Sequence, residues 1–427
     1  MTILEQVLAN IDRDRLVKTA MDLVDIWSPT GHEGPAAEYM DARFRELGMK
    51  ARLQELESGR ANSIGTLEGS GGGVHLMFDG HLDTSYTGKE AYLPQTPSYQ
   101  PKAYIEDGWI YGLGVYNMKG AVACYLAAVE AVIKAGVKLK GDVTVAAVAG
   151  EIEKGPVDRY QGPEYRGGGS GTWYLVNHGG VADMCIIGEP TNLRLLRGHM
   201  GYHWTRINIL GTPAHTTYSD KAVNAILKAT QVIEAIQEWG KVYKRTHTYG
   251  NVSANVTLSA IEGGWPYRCS RTPIYCTLYV DTRVLPGQEP TEVKRAIAGI
   301  LADLKAQDPE LKVEMDMFMT VPGAEVHEDA PVMQAVARAH QTIFGKPVEI
   351  ITEGYVSDGS VLNRYGIPTV NYGPTGASRS AEDGIPTWDP SVGEHAKIEN
   401  LYQCARVYAS LIMDICTKDR AAVVGSL

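Results

Sequence analysis

Histidine and carboxylate side chains recur in this sequence just after short apolar runs. His81 and Asp83 follow one such run, Glu151 follows a second and Glu189 a third. A His and an Asp two positions apart lie on the same side of an extended chain, so Asp83 can accept one imidazole N–H while the other ring nitrogen binds a metal. The pattern predicts a metal site outside the carboxyl ends of strands in a parallel sheet.

The elements that must position these residues form two kinds of domain. Helices alternate with short apolar strands over residues 1–197 and again over 318–427, which is typical of a mostly parallel sheet covered by helices. Residues 198–317 instead follow the order β-α-β-β-α, with a further strand. The predicted fold class is therefore α/β, with one domain at 1–197 and 318–427 split by an inserted α+β domain at 198–317.

Composition excludes several classes of function. The 427 residues carry 40 Lys and Arg against 50 Asp and Glu, a formal net charge of −10, so no positive field attracts nucleic acid or an anionic membrane. The most apolar helical stretch, 121–133, is interrupted by Glu130 and is too short to span a bilayer. The six cysteines form no Cys-x-x-Cys pair, which favours reduced, buried thiols. We therefore expect a cytoplasmic protein without a nucleic-acid or membrane partner.

Several further motifs extend the series in chain order. The motifs are GHLD at 80–83, GLGVYNMKG at 112–120, GEIE at 150–153, GEPT at 188–191, GTPAHTT at 211–217, Ser357-Asp358-Gly359, and His395 with Glu399. This series resembles the M20 metallohydrolase family, which includes aminoacylase, carboxypeptidase G2 and the deacylases of acetylornithine and succinyl-diaminopimelate. The resemblance covers nearly the whole chain.

The resemblance implies a role for each motif residue of the larger domain. His81, the residue at 117 and Glu189 would form one metal site, with Asp83 orienting His81. Glu151 would be the general base. An alternative assignment makes Glu153 the base and Glu151 a ligand.

The resemblance also implies that the inserted domain is a lid or dimerisation domain. His215 in this domain would reach the active site of a partner subunit and stabilise developing negative charge. We therefore expect self-association through the lid, as a homodimer or a higher homo-oligomer. A capping role for His215 remains the alternative.

The metal site departs from the family pattern at two positions. Asn117 stands where the family has a bridging Asp, and Ile152 stands where it has the carboxylate of a second metal. A neutral amide removes negative charge between two dications, which is costly in a low-dielectric site. We predict one firmly bound divalent ion per subunit, Mn or Zn. Its candidate ligands are His81, Glu189, Asn117, Glu153 and His395.

The lid departs from the family pattern as well. The spacing places Arg268 where the family has an Asn, after Trp265 and Tyr267. A guanidinium binds a planar carboxylate bidentately and the aromatic rings could face a flat ligand, so Arg268, Trp265 and Asn117 are candidate substrate-binding residues. The alternative is a surface charge beside ordinary interface aromatics.

Three functions follow from these residues. The first is hydrolysis of a C–N bond in a small anionic substrate by water that a metal activates. Its preferred form is replacement of an aromatic amine, in the branch represented by 5-nitroanthranilic acid aminohydrolase, because an electron-poor ring holds the added charge itself. The second is an N-acyl amino acid deacylase or dipeptidase. The third is a catalytically silent scaffold or binding protein with this fold.

Overall fold

The computed structural model describes residues 1–94, 96–376 and 392–425. The chain divides into two compact units. The first consists of Met1–Arg197, Glu325–Ile351 and Ser357–Leu427, and the second of Gly198–Ala324 and Thr352–Val356. The predicted fold class, α/β with a large mostly parallel sheet and an inserted α+β part, is confirmed.

Helices and strands alternate along most of the chain. The helices are α1 (Ile3–Ala9), α2 (Arg13–Asp25), α3 (Gly34–Glu46), α4 (Gly120–Lys134), α5 (Ser170–Asn177), α6 (Ala225–Thr246), α7 (Pro290–Gln307), α8 (Pro331–Phe344), α9 (Gly359–Arg364), α10 (Ile398–Ile415) and α11 (Arg420–Val424). The strands are β1 (Lys50–Glu57), β2 (Arg60–Leu67), β3 (Leu76–His81), β4 (Tyr104–Glu106), β5 (Trp109–Tyr111), β6 (Val143–Val148), β7 (Met184–Ile187), β8 (Leu195–His199), β9 (Gly201–Leu210), β10 (Thr248–Tyr249), β11 (Val252–Ser253), β12 (Val256–Gly263), β13 (Tyr275–Val284), β14 (Lys312–Val321), β15 (Ala324–Glu325), β16 (Ile350–Glu353), β17 (Thr369–Asn371) and β18 (His395–Lys397).

The large sheet brings together the strands that carry the candidate site. Its order is β1-β2-β6-β3-β7-β17-β8-β15, and β16 pairs with β8. Strand β3 pairs in parallel with β6 on one side and β7 on the other. Every residue of these three strands is buried, as expected for parallel strands that are covered on both faces. Their carboxyl ends therefore lie side by side at one edge.

Helix α4 lies in the core of the first unit. All residues from Gly120 to Val132 are buried, and the helix packs against α2 and α10. Its small side chains, mostly Ala and Val, allow this close packing. The turn Val115–Lys119, which carries Asn117, leads directly into α4. The packing of α4 in the core therefore fixes the end of this turn.

The second unit contains a four-stranded antiparallel sheet in the order β12-β13-β9-β14. Alternate residues of β9 and β13, such as Ile207 and Leu278, are buried in a core with α6 and α7, as the alternating pattern predicts. Strand β14 continues to Val321, beyond the boundary at 318 that we expected. The first unit resumes at Glu325 because this last strand belongs to the small sheet.

Two simpler expectations concern membranes and thiols. Within the described ranges, no helix combines the length and apolar composition that crossing a bilayer requires. Cys269 is exposed and the other five cysteines are buried. The expectation of buried thiols therefore fails at Cys269, which lies in a surface loop of the second unit.

Candidate metal centre and active site

Three side chains converge where β3, β6 and β7 end. His81 is the last residue of β3, Glu151 follows β6 and Glu189 follows β7. Among the described residues these three form a group whose ligand atoms all lie within 4.8 Å of one another. All three are at least nine-tenths buried. The sequence places them at one sheet edge, and the parallel pairing of the strands brings them together.

The spacing within this group fits a single divalent ion. His81 Nε2 lies 3.6 Å from Glu189 Oε1 and 3.7 Å from Glu151 Oε2. Asn117 Oδ1 lies 3.1 Å from the same nitrogen. Ligand atoms about 2.1 Å from a tetrahedral ion are separated by about 3.4 Å. Glu189 Oε1 is also buried without a hydrogen-bond partner in the described residues, as an atom reserved for a cation would be.

Burial of these charges makes the site strongly electrostatic. Burial raises the pKa of Glu151 well above its ordinary value and raises the pKa of Glu189 to about 7. Burial lowers the pKa of His81, but hydrogen bonding to Asp83 and the charges of Glu151 and Glu189 raise it well above its ordinary value overall. Closely spaced buried carboxylates repel one another, so a cation at this point would stabilise their charged forms.

Asp83 supports the site through its backbone and its side chain. His81 Nδ1 donates to the Asp83 backbone carbonyl at 2.9 Å, whereas the Asp83 carboxylate lies 3.4 Å away. In the neutral ring this bond keeps the proton on Nδ1, so that Nε2, which is directed at Glu151, Glu189 and Asn117, is the nitrogen that can bind an ion. The Asp83 carboxylate accepts the backbone N–H groups of Glu151 and Ile152 at 3.0 and 3.2 Å and the Thr30 hydroxyl at 2.8 Å. It therefore fixes the start of the Glu151 loop.

His395 and Glu153 lie outside the group around His81 Nε2. His395 is buried beside the rings of Trp109 and Tyr111, and its Nδ1 donates to the Gly393 carbonyl at 2.9 Å. Glu153 is half-buried. Its charge raises the pKa of Glu189, but by less than burial and the charges of Asp358 and Asp83 do.

The candidate residues of the second unit are mostly exposed. His215 Nδ1 accepts the Thr217 N–H at 3.3 Å and so caps the short helical turn Thr216–Lys221. Arg268 is exposed, and Tyr267 is 85% exposed. Trp265 contacts the ring of Tyr275 edge-on at 6.3 Å between centroids. In the single chain, contacts with nearby residues hold His215 and Trp265 in place.

Sequence reasoning gave no role to four buried polar residues near the site. The Thr172 hydroxyl donates to Asp358 Oδ2 at 2.7 Å and lies 3.5 Å from Asp79 Oδ2. Glu394 accepts the backbone N–H of Gly114 at 2.7 Å. The available signal for Asp79 was an acidic residue inside an otherwise apolar strand, two positions before His81.

Comparison with known proteins identifies the family of this chain. Residues 77–414 match the sequence profile of peptidase family M20/M25/M40. The acetylornithine deacetylase of Myxococcus xanthus is 25% identical over 393 residues, covering 90% of this chain and 92% of that protein.

Solved structures show the same fold at low identity. Human carnosine dipeptidase 1 has a TM-score of 0.74 and 16% identity, covering 98% of this chain and 100% of that one. A Bacillus subtilis dinuclear metal binding peptidase from the M20 family has a TM-score of 0.64 and 12% identity, covering 95% and 99%. The chain therefore belongs to peptidase family M20/M25/M40, and it is a metal-dependent hydrolase that acts on carbon–nitrogen bonds.

Proposed function

We propose that this chain hydrolyses a C–N bond of a small anionic substrate at one divalent ion, held by His81, Glu189 and Asn117. The convergence of these side chains and Glu151 on a single point carries the proposal. A bound Mn or Zn ion would supply Lewis acidity and lower the pKa of a water. The neutral side chain of Asn117 and the apolar side chain of Ile152 support one ion rather than two, because neither supplies a carboxylate for a second ion.

Glu151 is the proposed general base. Burial raises the pKa of its carboxyl group, which brings its proton affinity towards the range useful for a base near neutral pH. The Asp83 carboxylate accepts the backbone N–H of Glu151, which fixes the backbone from which the Glu151 side chain extends. In the competing assignment Glu151 is a ligand and Glu153 is the base.

In the proposed reaction, water attacks the carbon that carries the amino group of an electron-poor aromatic ring, the C–N bond breaks, and the products are the hydroxy compound and ammonia. Asn117 is neutral, so the site has less charge to organise a second ion than a site with a bridging carboxylate. A ring with electron-withdrawing substituents delocalises the charge that the attacking water adds, so this reaction needs less stabilisation from metals. A specific observation favours a second candidate, amide hydrolysis of an N-acyl amino acid: the 25% identity to an acetylornithine deacetylase.

A matched substrate panel separates these two reactions. The metal-loaded protein would be assayed with aminonitrobenzoates, with anilines that lack the nitro group, with N-acetyl amino acids and with dipeptides. We expect ammonia release from the nitro-substituted rings and little reaction with unsubstituted anilines. Faster turnover of N-acetyl amino acids or dipeptides than of any ring amine would instead favour the deacylase or dipeptidase.

The proposed active assembly is a homo-oligomer in which His215 serves a neighbouring subunit. Support comes from the exposure of His215 and Arg268 in the second unit. Hybrids of inactive His215→Ala and inactive Glu151→Gln subunits test this arrangement. Mixed dimers should regain one working site, whereas a histidine that acts within its own subunit gives no recovery and supports the capping role.

A further inference from the structure

The segment that carries Asn117 depends on contacts outside itself for its shape. Within the helical turn Val115–Lys119, Asn117 and Met118 leave helical geometry, each with a φ of −131°. Gly114 precedes the turn with a φ of 90°, a conformation that favours glycine. Amide groups in such a segment lack the regular acceptors of a helix, so other groups must satisfy them.

Glu394 supplies these acceptors. Its Oε2 accepts the Gly114 N–H at 2.7 Å. Burial raises the pKa of Glu394 to about 7, and the amides of Gly114, Asn117 and Tyr116 oppose this rise by favouring the charged carboxylate. Its backbone carbonyl accepts the Gly112 N–H at 3.2 Å. Glu394 is only 3% exposed, so water does not compete for these bonds. Hydrogen bonds from N–H groups to a carboxylate are stronger than those to a neutral acceptor.

Two further bonds fix the same segment. Lys119 Nζ donates to the backbone carbonyls of Leu23 and Ile26 at 2.8 and 2.9 Å. The Thr375 hydroxyl donates to the Tyr116 carbonyl at 2.6 Å. Lys119 therefore holds the segment's end and Thr375 holds one carbonyl. Among these three residues, Glu394 accepts an amide N–H of the segment, that of Gly114, and its carboxylate is stabilised by the amides of Tyr116 and Asn117.

We infer that Glu394 is a positioning residue, whose buried carboxylate holds the Gly114–Asn117 segment so that Asn117 Oδ1 remains beside His81 Nε2. The inference rests on the proposed use of Asn117 at the metal site. A neutral amide oxygen attracts a cation less than a carboxylate does, so its contribution depends more on correct placement. Glu394 would act through Asn117 and need not touch substrate.

The Mn²⁺ affinity of the metal-free full-length protein, measured by competition with a chelator, tests this inference. Glu394→Gln keeps the shape of the side chain and removes its charge, whereas Glu394→Asp keeps the charge and withdraws the carboxylate by one methylene. Each variant is also made in an Asn117→Ala background. We expect both Glu394 variants to lose about 10- to 100-fold in affinity, and to lose little more once Asn117 is absent.

Glu130→Gln is the matched control. Glu130 is a buried carboxylate of α4 that pairs with Arg15 at 2.8 Å. Its substitution should lower the unfolding temperature and leave Mn²⁺ affinity unchanged. If Glu394→Gln is recovered unfolded, Mn²⁺ affinity is compared between wild type and Glu394→Asp, each with and without Asn117→Ala.

Three outcomes would overturn the inference. Wild-type affinity in Glu394→Asp, with a loss only in Glu394→Gln, would mean that Glu394 acts through charge rather than position. Equal losses with and without Asn117 would mean a general effect on folding. Unchanged affinity in both variants would remove any role, while an unchanged affinity in Asn117→Ala would contradict the proposed ligand set itself.

Discussion

The candidate residues of the two units differ in how completely the single chain holds them. In the first unit, His81, Glu151 and Glu189 are each no more than 8% exposed, and the backbone and carboxylate of Asp83 fix two of them. In the second unit, His215 and Arg268 are exposed and have local contacts. Contacts within one chain therefore position the candidate metal ligands, whereas the proposed roles of His215 and Arg268 depend on a substrate or another subunit.

The largest expected effect concerns the buried group. Glu151→Gln should reduce turnover by about 10²- to 10⁴-fold while leaving metal content largely intact, because an amide keeps the shape but cannot accept a proton. Steady-state kinetics and metal analysis of the same preparation would measure both. Glu153→Gln is the control. A Glu151→Gln protein that loses its metal yet is active after reloading would assign the base to Glu153 instead.

A smaller effect is expected at the exposed lid. Arg268→Ala should lower kcat/KM for an anionic substrate by about 30- to 150-fold, since a charge-assisted pair contributes about 2–3 kcal/mol. Arg268→Lys should recover little, because an ammonium lacks the planar fork. Arg245→Ala removes another exposed charge of the same unit and should have no effect. An unchanged kcat/KM in Arg268→Ala, or a preference for neutral dipeptides, would show that Arg268 is a surface charge.

Restoring a charge at the metal site should have a measurable but smaller effect. Asn117→Asp keeps the side chain's shape and adds a negative charge beside His81, so Mn²⁺ affinity should rise by about tenfold. Chelator competition would measure it. Asn177→Asp adds the same charge at an exposed position of the first unit and should leave affinity unchanged. Equal affinities in wild type and Asn117→Asp would mean that residue 117 does not contact the ion.

The smallest expected effect is a loss of folding stability of the second unit at acidic pH. His203 is fully buried in β9, and burial lowers its pKa to about 4. The unfolded chain, with a His pKa of about 6.5, binds this proton more readily, so the folded state loses stability as pH falls from about 6.5 to 4. The full loss is at most about 3.4 kcal/mol.

This loss would be measured by following the thermal unfolding transition of the second unit at pH values from 7 to 4.5. His203→Gln should flatten the dependence on pH, whereas His327→Gln, which removes an exposed imidazole, should not. If wild type and His203→Gln lose the same stability between pH 7 and pH 4.5, His203 is not responsible for the loss.

The sequence predicts well where structure follows from strand periodicity. The nearly all-apolar runs before His81, Glu151 and Glu189 indicate buried parallel strands, and parallel strands present their carboxyl ends at one edge. The further strand that we assigned to the inserted domain is β14, but it runs on to Val321, so the first unit resumes at Glu325 rather than at 318. The apolar pattern shows that a strand is present better than it shows where the strand ends.

The sequence predicts poorly where residues meet through tertiary contacts. Glu394 precedes His395 and has the pattern of a solvated charge, yet it is buried against amides 280 residues earlier in the chain. Asp79, Thr172 and Asp358 likewise come from separate elements. No local spacing could have shown these contacts, since each depends on how the strands and loops pack.

The number of ions bound beside His81 distinguishes the proposed single-ion site from a two-ion site. Crystals of the protein grown with Mn²⁺ would be measured by anomalous diffraction, which locates each ion. We expect one strong peak within ligand distance of His81 Nε2, Glu189 and Asn117 Oδ1. Two fully occupied ions a few ångströms apart and bridged by Asn117 would contradict it.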